Sequence, residues 1–182
     1  MTEAIRRCKK CGLCRNQAPL LDEEQNCQIF WVGLSAKKAC FDNEPPLSMQ
    51  TNSGRIIHTI EEMCGDITTY KTNLVKCLPL TEQKKLRYPN KREIDCCYEH
   101  LVGEIKAMSP RIVFLLGEKV SAAVERHFAL HFPKWQDFSY GYQEYCGVFY
   151  VPIHHPSYIY VYKRKHMDDY YSGVKNVVCK LL

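Results

Sequence analysis

The chain has 182 residues, of which 46% are hydrophobic and 25% charged, with 9 Gly and 9 Pro. This composition is typical of one globular domain with a sizeable core, and it excludes a disordered or collagen-like chain. The longest apolar stretch, Ile112–Leu116, is far shorter than the roughly 20 residues of a membrane-spanning helix. The net charge of +5 favours an acidic partner such as nucleic acid without requiring one.

Apolar runs alternate with helical patterns along the chain. The runs predict strands at residues 28–34, 70–76, 111–116 and 148–153. Apolar residues at helical spacing predict helices over residues 53–64, 90–108, 119–127 and 169–181. Strands that are apolar throughout and alternate with helices indicate a parallel sheet covered on both faces. We therefore predict a single α/β domain over residues 1–182, with a cysteine-rich N-terminal arm.

The predicted sheet also indicates where a ligand would bind. Parallel sheets of this kind bind their ligands at the carboxyl ends of the strands. The segments that follow the predicted strands are residues 33–37, 73–79, 117 and 154–157. We expect these segments to surround one site.

Eleven cysteines in a chain without an apparent secretory signal indicate free thiols or metal ligation rather than disulfides. Cys8, Cys11 and Cys14 form two overlapping C-x-x-C units, a spacing that lets two thiolates of one turn bind the same metal. The other ligand candidates are Cys77, Cys96 and Cys97. The five remaining cysteines are expected to be ordinary buried residues, and they are Cys27, Cys40, Cys64, Cys146 and Cys179.

Six segments occur in an order that resembles one enzyme family. They are Cys8-x-x-Cys11, Val32-Gly33, residues 72–79 (TNLVKCLP), 93–97 (EIDCC), 110–117 (PRIVFLLG) and 151–158 (VPIHHPSY). Together they resemble the iron-sulfur uracil-DNA glycosylases, family 4 of the uracil-DNA glycosylase superfamily. The resemblance runs from about Cys8 to Tyr158, and its T-N-x-V-K-C-x-P and H-P-S motifs are specific in combination with the cysteines.

The resemblance implies a fold and a cofactor. The fold is a three-layer α/β/α sandwich around a central four-stranded parallel sheet. The cofactor is a [4Fe-4S] cluster with a structural role, and on this chain the implied ligands are Cys8, Cys11, Cys77 and Cys97. Cys97 is chosen over Cys96 because the family's cysteine lies four residues after the glutamate that corresponds to Glu93.

His155 and Asn73 are the candidates for the central chemistry. Cleavage of the N-glycosidic bond of deoxyuridine leaves an anionic base, and a neutral imidazole N–H of His155 aimed at uracil O2 would stabilise that charge by about 2.7 to 4 kcal/mol. The amide of Asn73 can donate to uracil O4 and accept from N3–H, which mismatches cytosine. The resemblance assigns this role to the asparagine of T-N-x-V-K-C. The structural alternatives are a helix cap for His155 and a turn for Asn73.

Further residues are assigned around these two. The target base must leave its stack and enter a pocket. The substrate-binding candidates beside Asn73 are Gly33, Ser35, Leu47 and Ser53. The candidates for contact with the DNA backbone are Ser157, Lys84, Lys85, Arg87, Lys163 and Arg164.

Two departures from the family fall in the pocket. Where the family has G-E-x-P-G, residues 33–37 read GLSAK, so Leu34 replaces the glutamate that positions or activates water. Where the family has an aromatic residue that stacks on uracil, residues 45–49 read PPLSM. Three explanations follow: Asp42 or Glu44 supplies the lost carboxylate as a catalytic residue, a dissociative cleavage tolerates its loss, or the pocket serves a different base.

We therefore expect a DNA repair glycosylase that hydrolyses the N-glycosidic bond of uracil or another deaminated base and leaves an abasic site. The alternative is a catalytically silent iron-sulfur DNA-binding protein on the same fold, because Leu34 has no proton acceptor. A zinc-binding module unrelated to glycosylases is a third alternative. We expect a monomer without membrane association. Because residues 1–10 show no signal sequence, we expect a cytoplasmic protein, nucleoid-associated in a prokaryote.

Overall fold

Five strands and six helices alternate along the chain in the computed structural model, which describes residues 1–182. In chain order they are α1 (Thr2–Arg6), β1 (Ile29–Ser35), α2 (Asn52–Cys64), β2 (Thr69–Val75), α3 (Lys91–Met108), β3 (Ile112–Leu116), α4 (Glu118–Phe128), β4 (Gln143–Tyr145), β5 (Val148–Ile153), α5 (Pro156–Tyr162) and α6 (Met167–Leu181). Two short 3₁₀ turns cover Leu13–Arg15 and Arg164–His166. Each predicted strand and helix is present, with ends within two residues of the prediction. No helix combines the length and the apolar character needed to cross a bilayer.

The strands form one sheet in the order β2-β1-β3-β5-β4. Strands β2, β1, β3 and β5 are parallel, as predicted. Strand β4 pairs with β5 as an antiparallel edge strand, which the prediction lacked. All three residues of β4 are exposed, so it carries no apolar run to reveal it. The turn between β4 and β5 is Cys146-Gly147, with φ of 52° and 79°, and two positive φ angles suit the twist of a two-residue hairpin.

Helices cover both faces of the sheet, which gives the predicted three layers. On one face, Trp31 of β1 and Phe114 of β3 pack against α2, α5 and α6. On the other face, Phe30 of β1 and Val113 of β3 pack against α3 and α4. All four side chains are fully buried, and each stabilises the fold by about 1.5 to 3 kcal/mol through its removal from water. The two cores hold the carboxyl ends of the parallel strands in fixed positions.

Helix α5 was not predicted, and neither was α1. The α5 sequence PSYIYVY alternates aromatic and β-branched residues, a pattern typical of strands. It nevertheless forms a helix because Pro156 occupies the first turn and His155 caps its N-terminus. The burial of Ile159 against the sheet then fixes one face of the helix. As a result, the residues that follow His155 stand beside the end of β5.

Candidate active site

A cleft of about 1110 Å³ opens at the carboxyl ends of the parallel strands. The segments after β1, β2, β3 and β5 all contribute to its lining. This is the edge of the sheet where the sequence predicts a ligand site. A second groove of about 1240 Å³ lies beside it. The two share a wall formed by Glu118, Trp135, His154 and Tyr158.

Asn73 and Gly33 lie opposite each other in the neighbouring strands β2 and β1. Asn73 is 4% exposed and lines the cleft. A Cβ atom at Gly33 would lie only 2.4 Å from Oδ1 of Asn73, so glycine is needed to leave room for the amide. The backbone carbonyl of Asn73 accepts a hydrogen bond from Nζ of Lys76 at 2.6 Å. The side-chain amide makes no such bond within the protein, and it can therefore pair with a bound base.

His155 lines the same cleft and also caps α5. Its Nδ1 accepts a hydrogen bond from the backbone N–H of Ser157 at 3.2 Å. Burial lowers the pKa of His155 below its ordinary value of 6.5, so the ring is neutral at pH 7. Because Nδ1 accepts a hydrogen bond, the single ring proton lies on Nε2. The cap and the electrostatic role are therefore compatible, since capping leaves a neutral Nε2–H as donor.

The approach of His155 to β3 depends on Gly117. Gly117 has a φ of 90°, which an L side chain rarely adopts. A Cβ atom on Gly117 would also lie 3.1 Å from Cβ of His155. A glycine directly after β3 therefore allows the loop after β5 to pack closely against it.

His154, the neighbour of His155, is held by aromatic side chains. Its Nδ1 lies 2.8 Å from the hydroxyl of Tyr140, and its ring centroid lies 4.4 Å from that of Trp135. Its backbone carbonyl accepts a hydrogen bond from the hydroxyl of Tyr170 at 3.0 Å. Burial lowers the pKa of His154, while nearby Glu118 acts in the opposite direction. His154 thus forms part of the wall between the cleft and the second groove, and sequence reasoning did not assign it a role.

Ser53 and Ser157 join two helix N-termini at the cleft. Their hydroxyl oxygens lie 2.7 Å apart, and both residues line the cleft. Ser35, at the end of β1, is also part of the lining. The three serines predicted to bind substrate or DNA thus line one cleft, where their hydroxyl groups can bind a phosphate or a base.

Leu47 belongs to the stretch 45–49, where the resemblance expects an aromatic ring. It lines the cleft with a positive φ of 54°, which is uncommon for a residue other than glycine. Its Cδ2 would lie 3.4 Å from a Cβ atom at Gly33. The backbone carbonyl of Leu47 packs so closely on α2 that a Cβ atom at Gly54 would lie 2.4 Å from it. Leu47 therefore presents an apolar surface to the space in front of Asn73.

Neither carboxylate proposed to replace the missing glutamate lines the cleft. Asp42 is exposed on the loop after β1. Glu44 is fully buried, and it accepts hydrogen bonds from Ser48 and from the backbone N–H of Cys40 in addition to an ion pair with Lys37. The one acidic residue in the lining of the cleft is Glu118, at the start of α4 directly after Gly117. Sequence reasoning missed Glu118 because a single glutamate at the start of a helix is common. It interacts favourably with the helix dipole whether or not it has a role in a binding site.

The predicted backbone-binding residues divide into three groups. Arg87 lines the cleft, but its guanidinium is paired with both carboxylate oxygens of Glu93 and also donates to the carbonyl of Leu80. Lys84 and Lys85 are exposed on the same loop outside the lining. Lys163 borders the second groove, and Arg164 stacks on the ring of Tyr160 at 5.1 Å. Lys84, Lys85, Lys163 and Arg164 form no ion pair within the protein and can bind phosphate. The guanidinium of Arg87 is already paired with Glu93 and holds its loop in place.

A buried ion pair anchors the strand that carries Asn73. Lys76 is 1% exposed and forms an ion pair with the fully buried Glu104 of α3. Lys76 Nζ also donates to Oγ1 of Thr72 at 2.7 Å. Glu104 accepts further hydrogen bonds from Thr72 and from the hydroxyl of Tyr70. Every donor of this ammonium is satisfied, as a buried charge requires.

The N-terminal arm brings cysteines together just after the carboxyl end of β2. Cys11 and Cys77 pack against a small cluster formed by Leu13, Val75 and Cys97. Sγ of Cys97 accepts a hydrogen bond from the backbone N–H of Lys76 at 3.4 Å. Burial, together with four nearby thiols, raises the pKa of Cys77 to about 12, and these thiols are those of Cys97, Cys11, Cys14 and Cys8. No three His, Cys, Asp or Glu side chains are arranged to hold a single metal ion.

The other five cysteines do not share one environment. Cys27 is buried, as expected, and Cys64 is half-buried. The expectation of burial is wrong for Cys40, Cys146 and Cys179, which are exposed. Cys146 occupies the hairpin turn before β5. Cys40 lies on the loop after β1, and Cys179 lies near the end of α6.

Comparison with known proteins decides the family. The profile of the "Uracil DNA glycosylase superfamily" matches residues 17–177. The chain belongs to the uracil DNA glycosylase superfamily. Members of this superfamily are DNA glycosylases, hydrolases that act on DNA. The match begins after Cys8, Cys11 and Cys14, so the superfamily assignment does not depend on them.

A solved structure agrees with this uracil DNA glycosylase fold. The crystal structure of wild-type SMUG2 from Pedobacter heparinus superposes with a TM-score of 0.57 over 86% of this chain and 76% of that one. The two sequences are 14% identical, so the similarity concerns the fold alone. A search of curated proteins gives no significant match.

Proposed function

We propose that this protein hydrolyses the N-glycosidic bond of uracil, or of another deaminated base, in DNA and leaves an abasic site. The observation that carries the proposal is the meeting of Asn73 and His155 in one cleft at the carboxyl ends of β2 and β5. One side chain is suited to reading a base and the other to stabilising its negative charge. Members of the same superfamily are DNA glycosylases.

In this proposal Asn73 binds the base and His155 stabilises the leaving group. The amide of Asn73 pairs with O4 and N3–H of uracil, and Leu47 packs against the face of the ring. The neutral Nε2–H of His155 donates to O2 as negative charge develops during cleavage. A neutral donor suits this step because its hydrogen bond strengthens only as the charge forms.

The sugar develops positive charge in the same step. Glu118 is the one acidic residue that borders the cleft. We assign it the stabilisation of the oxocarbenium-like sugar and of the attacking water. Asp42 and Glu44 have no such role in this proposal because they lie outside the lining.

We also propose that the protein carries a [4Fe-4S] cluster. The donor set is suitable, because four cysteine thiolates are the usual ligands of such a cluster, and this chain offers them from the N-terminal arm, the segment after β2 and the second turn of α3. The ligands would be Cys8, Cys11, Cys77 and Cys97. A bound cluster would supply a cross-link between the arm and the sheet. The packing of Cys11 and Cys77 beside Cys97 supports this assignment.

Excision on defined oligonucleotides tests the proposal. The protein is incubated with DNA containing uracil or hypoxanthine, and alkali then breaks the strand at any abasic site. We expect breaks with the wild-type protein and a loss of roughly 10²- to 10³-fold in rate with His155→Ala. The control variant His166→Ala changes an exposed histidine outside the cleft and should keep full activity.

A silent DNA-binding protein is the second candidate, and Leu34 favours it because the cleft wall is apolar where the resemblance expects a carboxylate. Tight binding of DNA without breaks at any modified base would support this second candidate and contradict the first.

A further inference from the structure

Exposed apolar side chains are concentrated at the mouth of the cleft. Ten large hydrophobic side chains of the protein are exposed, and half of them line this one opening. We call these five residues the rim: Leu86, Tyr88, Tyr158, Val161 and Tyr162. Tyr162 is 73% exposed and Tyr88 is 70% exposed. Single exposed apolar residues are ordinary, but a group at one opening marks an interaction surface.

The rim consists of two walls that both follow the carboxyl ends of parallel strands but come from opposite sides of the sheet. Leu86 and Tyr88 lie on the loop after β2, whereas the other three belong to α5, which follows β5. Strands β1 and β3 lie between β2 and β5 in the sheet. The rings of Tyr158 and Tyr162 have centroids 5.4 Å apart. The ring of Tyr88 lies under the ammonium of Lys119 at 4.6 Å.

The charges around the rim are mostly positive. Lys119 lines the cleft without an acidic partner, and the one acidic residue of the lining is Glu118. Lys37 and Arg87 also line it, but they form ion pairs with Glu44 and Glu93. The exposed run of residues 163–165 (KRK) follows directly after Tyr162. This combination of exposed rings and cations matches a ligand that offers both flat bases and phosphates.

We propose that the rim stacks the unpaired bases on either side of the target nucleotide, so that single-stranded DNA is the preferred substrate. In a duplex the neighbouring bases are already stacked and paired, and they have no free faces to offer to Tyr88 and Tyr162. A single strand presents those faces, and Lys119 together with the basic run 163–165 binds its phosphates. The proposal rests on the proposed function, and it adds the class of DNA that this same cleft accepts.

Binding to DNA without uracil tests the rim separately from catalysis. The full-length protein is titrated into a fluorescein-labelled single-stranded 15-mer and into its matched duplex, and Kd is read from fluorescence anisotropy. We expect roughly tenfold or greater preference for the single strand. Tyr88→Ala and Tyr162→Ala should each raise the single-strand Kd by about 5- to 150-fold. Tyr162→Trp should keep the wild-type affinity, because a larger ring stacks at least as well.

A matched control and the opposing outcomes make the test decisive. Tyr145→Ala removes an exposed tyrosine on β4, outside the cleft, and should leave both Kd values unchanged. Equal or tighter binding of the duplex would overturn the proposal, as would unchanged Kd values in both rim variants. Absence of binding to either DNA would also overturn it, and dimer formation in sedimentation would then assign the rim to a second copy of the chain. Single-strand preference without excision of any base would contradict the proposed function alone.

Discussion

The ammonium of Lys37 lies 2.7 Å from the buried carboxylate of Glu44. The same carboxylate accepts hydrogen bonds from the hydroxyl of Ser48 and from the backbone N–H of Cys40, which closes the loop between β1 and α2 on itself. Leu47 projects from this loop into the cleft. Glu44 therefore acts as a positioning residue, because it holds the loop that places Leu47.

The first prediction concerns the pH dependence of stability. Burial alone would raise the pKa of Glu44, but the hydrogen bonds from Cys40, Lys37 and Ser48 outweigh it and lower the pKa to about 2. Because the folded-state pKa lies below the ordinary value of 4.5, the stabilisation is fully present above pH 4.5 and is lost as the pH falls towards 2. The loss is on the order of 3 kcal/mol. Urea denaturation should show Glu44→Gln clearly less stable than wild type at pH 7 and equal to it near pH 2.

A stability difference between wild type and Glu44→Gln that stays constant over this range would contradict the assignment. Asp42→Asn is the matched control, since Asp42 is an exposed carboxylate on the same loop. It should change the free energy of unfolding by no more than about 0.5 kcal/mol at any pH.

The second prediction distinguishes Glu118 from Asp42 by the effects of their substitution on excision. Glu118→Gln should lower kcat by roughly 10²- to 10⁴-fold, the range for loss of an acid-base group that contacts the reacting atoms. Asp42→Asn should leave kcat unchanged. Single-turnover rates with uracil-containing oligonucleotides measure both effects. Full activity in Glu118→Gln together with loss of activity in Asp42→Asn would reverse the roles.

The third prediction uses the close approach of Gly33 to Asn73. Gly33→Ala places a methyl group where Oδ1 of Asn73 now lies, because the two atoms would be 2.4 Å apart. The displaced amide can no longer align with the base, and a misplacement of about 1 Å costs roughly 10²-fold in rate. Gly103→Ala is the control, since a Cβ atom there would meet nothing within 4 Å. Excision that remains at the wild-type rate in Gly33→Ala would show that Asn73 does not bind the base.

The sequence predicts the sheet and the edge at which the cleft opens, because the strands follow local patterns and the cleft lies at their carboxyl ends. Apolar runs such as Ile112–Leu116 have few alternatives to a buried parallel strand. Asn73 and His155 follow motif positions, and strand order then brings them to one edge. The roles proposed for Asn73 and His155 come from the family resemblance. The superfamily match supports the fold that positions the two residues.

What the sequence could not predict depends on long-range contacts. The YIYVY segment has the alternation of a strand, and only its cap at His155 and the burial of Ile159 make it helical. The partnership of Lys37 with Glu44 is a loop contact with no periodic signal. The rim likewise joins Tyr88 and Tyr162, which lie 74 positions apart in the chain and share an opening only because β2 and β5 belong to one sheet.

The fourth prediction concerns the cysteines of the N-terminal arm. Cys77→Ala removes one of the four proposed ligands, so anaerobically purified protein should lose bound iron, acid-labile sulfide and visible absorption, and should become less soluble. Cys179→Ala is the matched control, because Cys179 is exposed near the end of α6, and it should keep all three. Full iron content in Cys77→Ala would refute the ligand assignment. Zinc in place of iron in the wild-type protein would refute the cluster itself.

The fifth prediction tests the buried ion pair beneath Asn73. Lys76→Met leaves Glu104 buried without its cation, which should lower the free energy of unfolding by about 3 to 5 kcal/mol. The double variant Lys76→Met/Glu104→Leu removes both charges and should recover much of that loss, because an apolar pair avoids the cost of burying an unpaired charge. Urea denaturation of the two variants and of Glu104→Leu alone gives the coupling between the side chains. If the double variant is as unstable as the sum of the single variants, the two residues act independently, and β2 is held in place by its apolar contacts instead.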